Sequence, residues 1–576
     1  MLGAMLAAMA LFAVSLAGWG RLVLRQCRME ASPILAMALG LATVIFVGGV
    51  LNLARLAWAP SLAVVALVGL IAAARDWRQL VVVDRARLFF VAVPAIAILT
   101  FTIATQLPPS AYNIADDYPK YFFHPVRMLA TGTLYGSAMS AMASETLGGK
   151  AFLDAFVAAL FPLRWLNATD AVFGLALCLA LAGSMARNVW SAVLCTLTVF
   201  LIDPQYINIS ALYLGAALMM ASIAVSKNEN GAALGLLYAA LIALKTTFAL
   251  FVVLHLTFVA LVRWRFAAKA AGYALLFVAP WIVLHAPHYW VALTAPANTV
   301  EAYGYGPPDK VGILSLVWLT YGSAVIQYTL TMLAVFCAGL SIVGQREDRF
   351  VTAAAAAGLA GYLVMFFIFG PRLSGYGEAV RYFAPIAIGV VPAVMALSAR
   401  GVWRTALAAL PLVIFSLSLT PRLAIAAREH FILAFPFAQS QDYRNLDTLV
   451  MSDDMAGRIR KMQTMVPEGA TLVAWINSPF NLDQKRNPIV DIDSAGLATP
   501  WAAFPDRGYV IWEYRGVAMP MVAGSMENSF VVGEHERMIA GQELKFTAEL
   551  KRFAEEGALL FNDGRFAVIR MPGTSG

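Results

Sequence analysis

An all-α polytopic membrane domain followed by a C-terminal soluble α/β domain is the fold class the sequence predicts, on three observations. Over 576 residues the chain is 60% apolar and 13% charged, with a mean hydropathy of +0.73. Soluble domains carry about 25% charged residues, so much of this chain must use lipid as its solvent. Segments 88–107, 204–226, 311–345, 351–371 and 382–399 contain no Asp, Glu, Lys or Arg, whereas a helical crossing needs only about 20 apolar residues. From about Arg422 onward charged residues become frequent, and turn punctuation such as PEG, SPF and RNP appears. Ala, Gly, Leu and Val fill the apolar runs without the period-2 alternation of outer-membrane strands, which predicts helices rather than a barrel.

Residues 1–20 lack a basic leading segment, and Arg21, Arg25 and Arg28 follow the apolar run. This reads as a retained helix that starts outside, not as a cleaved signal. Two crossings, about 33–51 and 56–74, separate these arginines from the next basic loop at Arg75, Arg78, Arg85 and Arg87. Both loops can therefore be cytoplasmic under the positive-inside rule. The polar insert 108–150 then falls outside, Arg263, Arg265 and Lys269 inside, and 288–312 outside. Arg346 and Arg349 fall inside, 371–380 outside, Arg400 and Arg404 inside, and a last span near 405–420 delivers the remainder outside. The run 151–163 is short for a crossing, and a spanning helix there would put Arg187, Asp203 and Lys227 on conflicting sides. It is expected to be a re-entrant or shallow helix over 151–166, within a total of about 13–15 crossings.

In the C-terminal domain, strands are expected at Thr471–Ile476, Pro488–Ile492, Tyr509–Trp512 and Phe566–Arg570, with helices near 442–465 and 544–555. The division is thus 1–87 for N-terminal transmembrane helices, 88–421 for the membrane core with its outer loop 108–150, and 422–576 for the soluble domain. Cys27, Cys178, Cys195 and Cys337 lie in or beside apolar segments, so neither a disulfide framework nor a zinc site is expected. The net charge of +7 suits arginine-rich loops facing anionic lipid, and no nucleic-acid partner is needed to explain it.

Within the insert, Asp116 and Asp117 stand together just past a span. They have an ordinary reading as helix-start acids in a solvated loop, since Asp is common at N-caps. They also have a chemical reading, as a general base that deprotonates or orients an acceptor hydroxyl, with a divalent cation such as Mg or Mn as the one cofactor they could hold. Pro119 suits a first helical turn and Gly132 an exit, while Pro125 between them should break the segment into two short pieces along the membrane surface. Tyr121, Phe122, Phe123, Val126, Met128 and Leu129 would then meet the lipid boundary, and Asp116, Asp117, Lys120, His124 and Arg127 a polar cleft. Lys120 and His124 read as structural or phosphate-facing.

Residues 370–389, GPRLSGYGEAVRYFAPIAIG, carry Glu378, Arg381 and Tyr382 at the outer end of a span. Such charges can merely anchor a helix, but the planar fork of arginine also binds phosphate oxygens bidentately. Arg381 is the first candidate for a donor phosphate and Arg372 the second. Lys245 interrupts apolar runs 231–244 and 246–262; it either snorkels at a helix end or meets an anion in a cavity. His285, His288, Glu301 and Asp309 in another outer loop could complete such a cavity.

Taken together, ADDYPKYFFHPVRMLATGTL, LYAALIALKTTFALFVVLHL and EAVRYFAPIAIG resemble the polytopic GT-C superfamily of glycosyltransferases, including its bacterial branch that uses polyprenyl-phosphate sugars. The resemblance spans roughly 88–400. It implies a hexosyl- or pentosyltransferase in the bacterial inner (plasma) membrane, with the C-terminal domain extracytoplasmic. It implies that Asp116 or Asp117 activates the acceptor, that Lys245 lies near the donor phosphate, and that Arg381 and Tyr382 line the donor site. The partners implied are a polyprenyl-phosphate sugar donor, a lipid, glycan or protein acceptor, and the bilayer.

Such a donor carries its phosphate on the anomeric carbon. A carboxylate at the acceptor hydroxyl and cations at the phosphate would stabilise an inverting, oxocarbenium-like displacement. No glycine-rich phosphate loop stands at a strand-to-helix junction in the sequence, so no nucleotide cofactor is expected. The rival readings are a transporter or flippase for a lipid-linked sugar, an O-antigen-type ligase or polymerase, and a non-catalytic assembly partner.

Overall fold

The computed structural model describes residues 1–29, 32–76, 85–106, 121–134, 146–186, 188–202, 211–287, 328–340, 348–369, 376–398, 453–491, 508–513 and 547–571. Among the described residues its membrane part is built of helices. The first three helices are α1 (Leu2–Gln26), α2 (Pro33–Leu53) and α3 (Ala59–Arg75). Ser32 caps α2 by accepting from the Leu35 N–H at 3.4 Å, with Pro33 in the first turn where its missing N–H leaves no orphan. These helices touch backbone to backbone. A Cβ on Gly20 would lie 1.6 Å from the Ala36 carbonyl oxygen, one on Gly40 1.7 Å from that of Leu16, and one on Gly18 1.8 Å from that of Gly69. Small residues are what permit such approach where lipid offers no hydrophobic drive for association. Gly20→Val is therefore expected to separate α1 from α2 and lower the melting temperature of the purified protein by several degrees, whereas Gly3→Val, with open space around it, should leave it unchanged.

Helix α4 (Arg85–Gln106) leads to α5 (Phe123–Thr131) and α6 (Gly149–Ala158). A π-helical stretch, Thr169–Gly174, opens α7 (Leu175–Met185), followed by α8 (Val189–Ile202), α9 (Leu212–Ser226) and α10 (Gly231–Leu244). Helix α11 (Phe248–Leu284) is two helices joined at Arg263, whose φ of −156° and ψ of 85° reverse the chain. Then come α12 (Tyr328–Leu340), α13 (Asp348–Leu363) and α14 (Tyr376–Ser398), the last keeping Pro385 and Pro392 inside it. Among the described residues, 5 helices are long and apolar enough to cross a membrane, and shorter apolar helices accompany them.

The helix ends sort into two groups. At one end Arg25 pairs with Asp76 at 2.5 Å, Arg263 pairs with Glu229, and Asn230 Nδ2 donates to the Cys27 carbonyl. This is the end of the basic loops, as the charge pattern predicts. At the other end the Ala57 N–H donates to the Gly132 carbonyl, Thr146 Oγ1 to the Leu244 carbonyl, and Trp165 Nε1 to Met1 Sδ. Helix α6 has that second end on both its flanks, since Gly149 abuts the Ala243 carbonyl and Arg164 with Trp165 reaches Met1. Its two flanks thus meet the same end of the bundle, and Leu163–Met185 is the next helical run long and apolar enough to cross a membrane. The expected span at 405–420 and the outer loop 288–312 lie outside the described residues.

The C-terminal part is a five-stranded sheet with strand order β2-β1-β3-β5-β4, formed by β1 (Leu472–Trp475), β2 (Ile489–Asp491), β3 (Tyr509–Glu513), β4 (Leu559–Asn562) and β5 (Phe566–Arg570). β1 runs parallel to both β2 and β3, and β5 runs antiparallel to β3 and β4. Helix α15 (Asp453–Gln463) buries Met455, Ile459 and Met462 against one face, while a helical stretch over 547–553 carries Leu550 and Phe553 to the other. Strand β4 was not anticipated. Three of its four residues are exposed, so it carries no periodic burial signal.

Candidate functional site

Helix α5 joins the two parts of the molecule. Gly132, at φ +76°, ends it in a left-handed cap with its N–H on the Met128 carbonyl at 2.8 Å, and a Cβ there would meet the Arg55 carbonyl at 2.4 Å. Pro125 does not divide the segment as expected. Tyr121 and Phe122 are already π-helical and run into α5 without a break, so Pro125 does not separate them from it. The piece expected before it, including Pro119, lies outside the described residues.

The adjacent phenylalanines at the start of α5 belong to different cores. Phe122 sits in the membrane core and meets Phe480 edge-on at 5.7 Å, whereas Phe123 is fully buried among Ile459, Leu472, Ile489, Ile511 and Val568 of the C-terminal domain. Arg127 Nη1 donates to the Ile489 carbonyl at 3.4 Å. Burial pushes the Arg127 guanidinium down to about 10, so it keeps its charge at neutral pH. The expectation that Phe122, Phe123 and Met128 meet lipid while His124 and Arg127 face a polar cleft is corrected. All five are buried in protein, Phe122 and Met128 in the helical core and Phe123 in that of the C-terminal domain. Phe123→Ala should cost about 3–5 kcal/mol of docking and expose the domain to limited proteolysis while it stays folded.

At the same end, α10 stops at Leu244 and Lys245 takes an extended conformation (φ −156°, ψ 129°) before α11 begins. Lys245 is 8% exposed, and its Nζ stands 4.7 Å from the ring centroid of Tyr382 on α14. A buried ammonium over an aromatic face is a desolvated cation–π contact. Beneath Tyr382 lies an aromatic cluster in which Phe383 meets Tyr328 at 5.5 Å and Tyr362 at 5.6 Å. On the other side of the helix break, Thr146 Oγ1 donates to the Leu244 carbonyl at 2.8 Å, and His285 Nε2 lies 2.8 Å from the Leu147 carbonyl. Lys245 and Tyr382, drawn from separate motifs, are therefore brought together. Glu378 and Arg381 belong to α14, one turn and one residue before Tyr382, and their side chains are not among those described. Asp116, Asp117, Lys120 and Arg372 lie outside the described residues.

A polar group that the sequence reading missed lies next to this break. In α6, Lys150 is 2% exposed and pairs with Asp154, itself 1% exposed, while its Nζ also donates to Thr169 Oγ1 at 2.9 Å. Asp170, fully buried, accepts from the N–H groups of Tyr213 at 3.1 Å and Leu214 at 2.8 Å at the start of α9. The available signal was a Lys and an Asp four residues apart in an otherwise apolar run, KAFLDAF, a spacing that puts both on one helix face. Among the described residues no group of three or more His, Cys, Asp or Glu is gathered for a metal. The acids that could hold a divalent cation, Asp116 and Asp117, are not among them.

No family model matches the chain, and no curated protein does. Among solved structures, the crystal structure of ArnT from Cupriavidus metallidurans bound to undecaprenyl phosphate is similar at 13% identity and a TM-score of 0.37, covering 85% of this chain and 98% of its own. A superposition this loose has no bearing on the site.

Proposed function

We propose that the protein is an integral membrane glycosyltransferase that moves a sugar from a polyprenyl-phosphate donor to a lipid, glycan or protein acceptor on the extracytoplasmic face. The observation that carries this reading is the Lys245–Tyr382 contact at a helix break, with Nζ 4.7 Å from the ring centroid. Two residues selected from distant motifs for one phosphate meet at the end of the bundle opposite the basic loops. Irregular backbone at such a break is tolerated where it lines a cavity or is buried in protein, and a cation there is suited to an anionic headgroup.

In the reaction, Asp116 or Asp117 accepts the proton of the acceptor hydroxyl as its oxygen attacks the anomeric carbon from the face opposite the phosphate. The bond between that carbon and the phosphate oxygen breaks, the configuration inverts, and polyprenyl phosphate leaves with the charge that Lys245 and Arg381 stabilise. Arg381→Ala is expected to raise the donor KM about tenfold and leave the acceptor KM unchanged, as steady-state kinetics with each substrate varied would read. Mass spectra of the lipid and glycan fractions from cells with and without the protein test the reading: a glycan mass shift equal to one sugar supports it, and identical spectra refute it.

A further inference from the structure

We infer that Lys150, Asp154, Thr169 and Asp170 form a positioning network that fixes the phosphate subsite at Lys245; this rests on the donor-site reading given above. The backbone of residues 146–150 joins this network to the helix break. Lys150 in the first turn of α6 pairs with Asp154, and its bond to Thr169 at 2.9 Å ties α6 to the entry of α7. Asp170, beside Thr169, holds the start of α9 through the Tyr213 and Leu214 N–H groups. The residues just ahead of Lys150 clasp the break itself. Gly148, at φ +105°, turns the chain into α6 where a Cβ would meet Leu134 at 2.6 Å and Trp281 at 2.9 Å. Thr146 Oγ1 then donates to the carbonyl of Leu244, the neighbour of Lys245, at 2.8 Å, and His285 Nε2 lies 2.8 Å from the Leu147 carbonyl. A shift of α6 would move this clasp directly.

The energetics point to placement rather than stability. Buried ion pairs replaced by apolar residues of similar volume are often neutral or stabilising. Here the second oxygen of Asp154 is buried without a partner among the described residues, which raises the cost of keeping the pair. What the pair supplies instead is direction, because its bonds to Thr169 allow one register of α6 against α7. An apolar pair would allow several. Lys150 and Asp154 are bonded to each other and to Thr169, so their effect on the subsite is through Thr146 and the backbone that presents Lys245.

A double-mutant cycle on the full-length protein in nanodiscs tests this, with undecaprenyl phosphate as probe and uncharged undecaprenol as control. Affinity and melting temperature are measured for wild type, Lys245→Ala, Lys150→Met/Asp154→Leu and the combined triple variant. The apolar pair is expected to melt at or above the wild-type temperature, to weaken undecaprenyl phosphate binding at least tenfold, and to abolish most of the further loss caused by Lys245→Ala. Wild-type affinity in the apolar pair, or full additivity with Lys245→Ala, would overturn the inference. Should the apolar pair fail to fold, Thr169→Val cuts the link between α6 and α7 together with a local bond to the Leu166 carbonyl. At least threefold weaker binding is then expected, and unchanged binding overturns the inference. A wild-type protein that binds undecaprenyl phosphate no better than undecaprenol refutes the donor-site reading itself, which the other outcomes leave standing.

Discussion

Lys245→Ala is expected to weaken undecaprenyl phosphate binding about 100-fold, on the order of 3 kcal/mol, while leaving the weak affinity for undecaprenol unchanged. The size follows from the surroundings of the side chain. At 8% exposure, over the Tyr382 ring, the ammonium is largely desolvated, and charges attract more strongly where water is excluded. An exposed lysine would change affinity by only a few fold, because solvent and salt screen it. Lys245→Arg should recover part of the loss, since the charge returns with a different shape. Titration of the purified protein with each lipid, followed by tryptophan fluorescence, would read all three values, and equal losses for the phosphate and the alcohol would mark Lys245 as a packing residue.

The second large effect is expected at the acids. Asp116→Asn and Asp117→Asn should each leave expression, melting temperature and donor binding intact, and at least one should lower the transfer rate about 10²–10⁴-fold, the range ascribed to a general base. Asparagine keeps the shape and hydrogen-bonding reach of the carboxylate but cannot take a proton. The separation of binding from turnover is the informative part. A loss confined to donor binding would assign the acids to the phosphate or its counter-ion, and full activity in both variants would remove them from catalysis.

The membrane architecture was legible because charge exclusion and the placement of arginines are strong, one-dimensional signals. The pairing of Arg25 with Asp76 and of Arg263 with Glu229 gathers at one end the loops that the basic residues had assigned to one side. That the run 151–163 is too short to cross was legible from its length, and the helix there ends at Ala158. In the soluble domain, β1, β2, β3 and β5 announced themselves by apolar β-branched runs. β4, exposed along most of its length, did not.

The surroundings of α5 were not legible. Its aromatic stripe has the same pattern whether it meets lipid or another domain, and only the fold reveals that Phe123 enters the C-terminal core. Lys245 stood out because a charge inside an apolar run is costly, and Tyr382 because it follows Arg381 at a helix mouth. Their contact joins residues far apart in sequence, which no local pattern encodes. The Lys150–Asp154 pair gives a weak signal, two charges four residues apart at the head of a short apolar run.

If sugar leaves a polyprenyl phosphate at this site and joins an acceptor, the bare carrier is a product that can be counted. In proteoliposomes charged with the lipid-linked sugar pool of the source membrane and its acceptor fraction, one polyprenyl phosphate should be released for each sugar joined to acceptor, and none with the Asp116→Asn/Asp117→Asn protein. Sugar carried to the opposite leaflet still bound to its lipid, with no polyprenyl phosphate released, would instead mark the protein as a transporter.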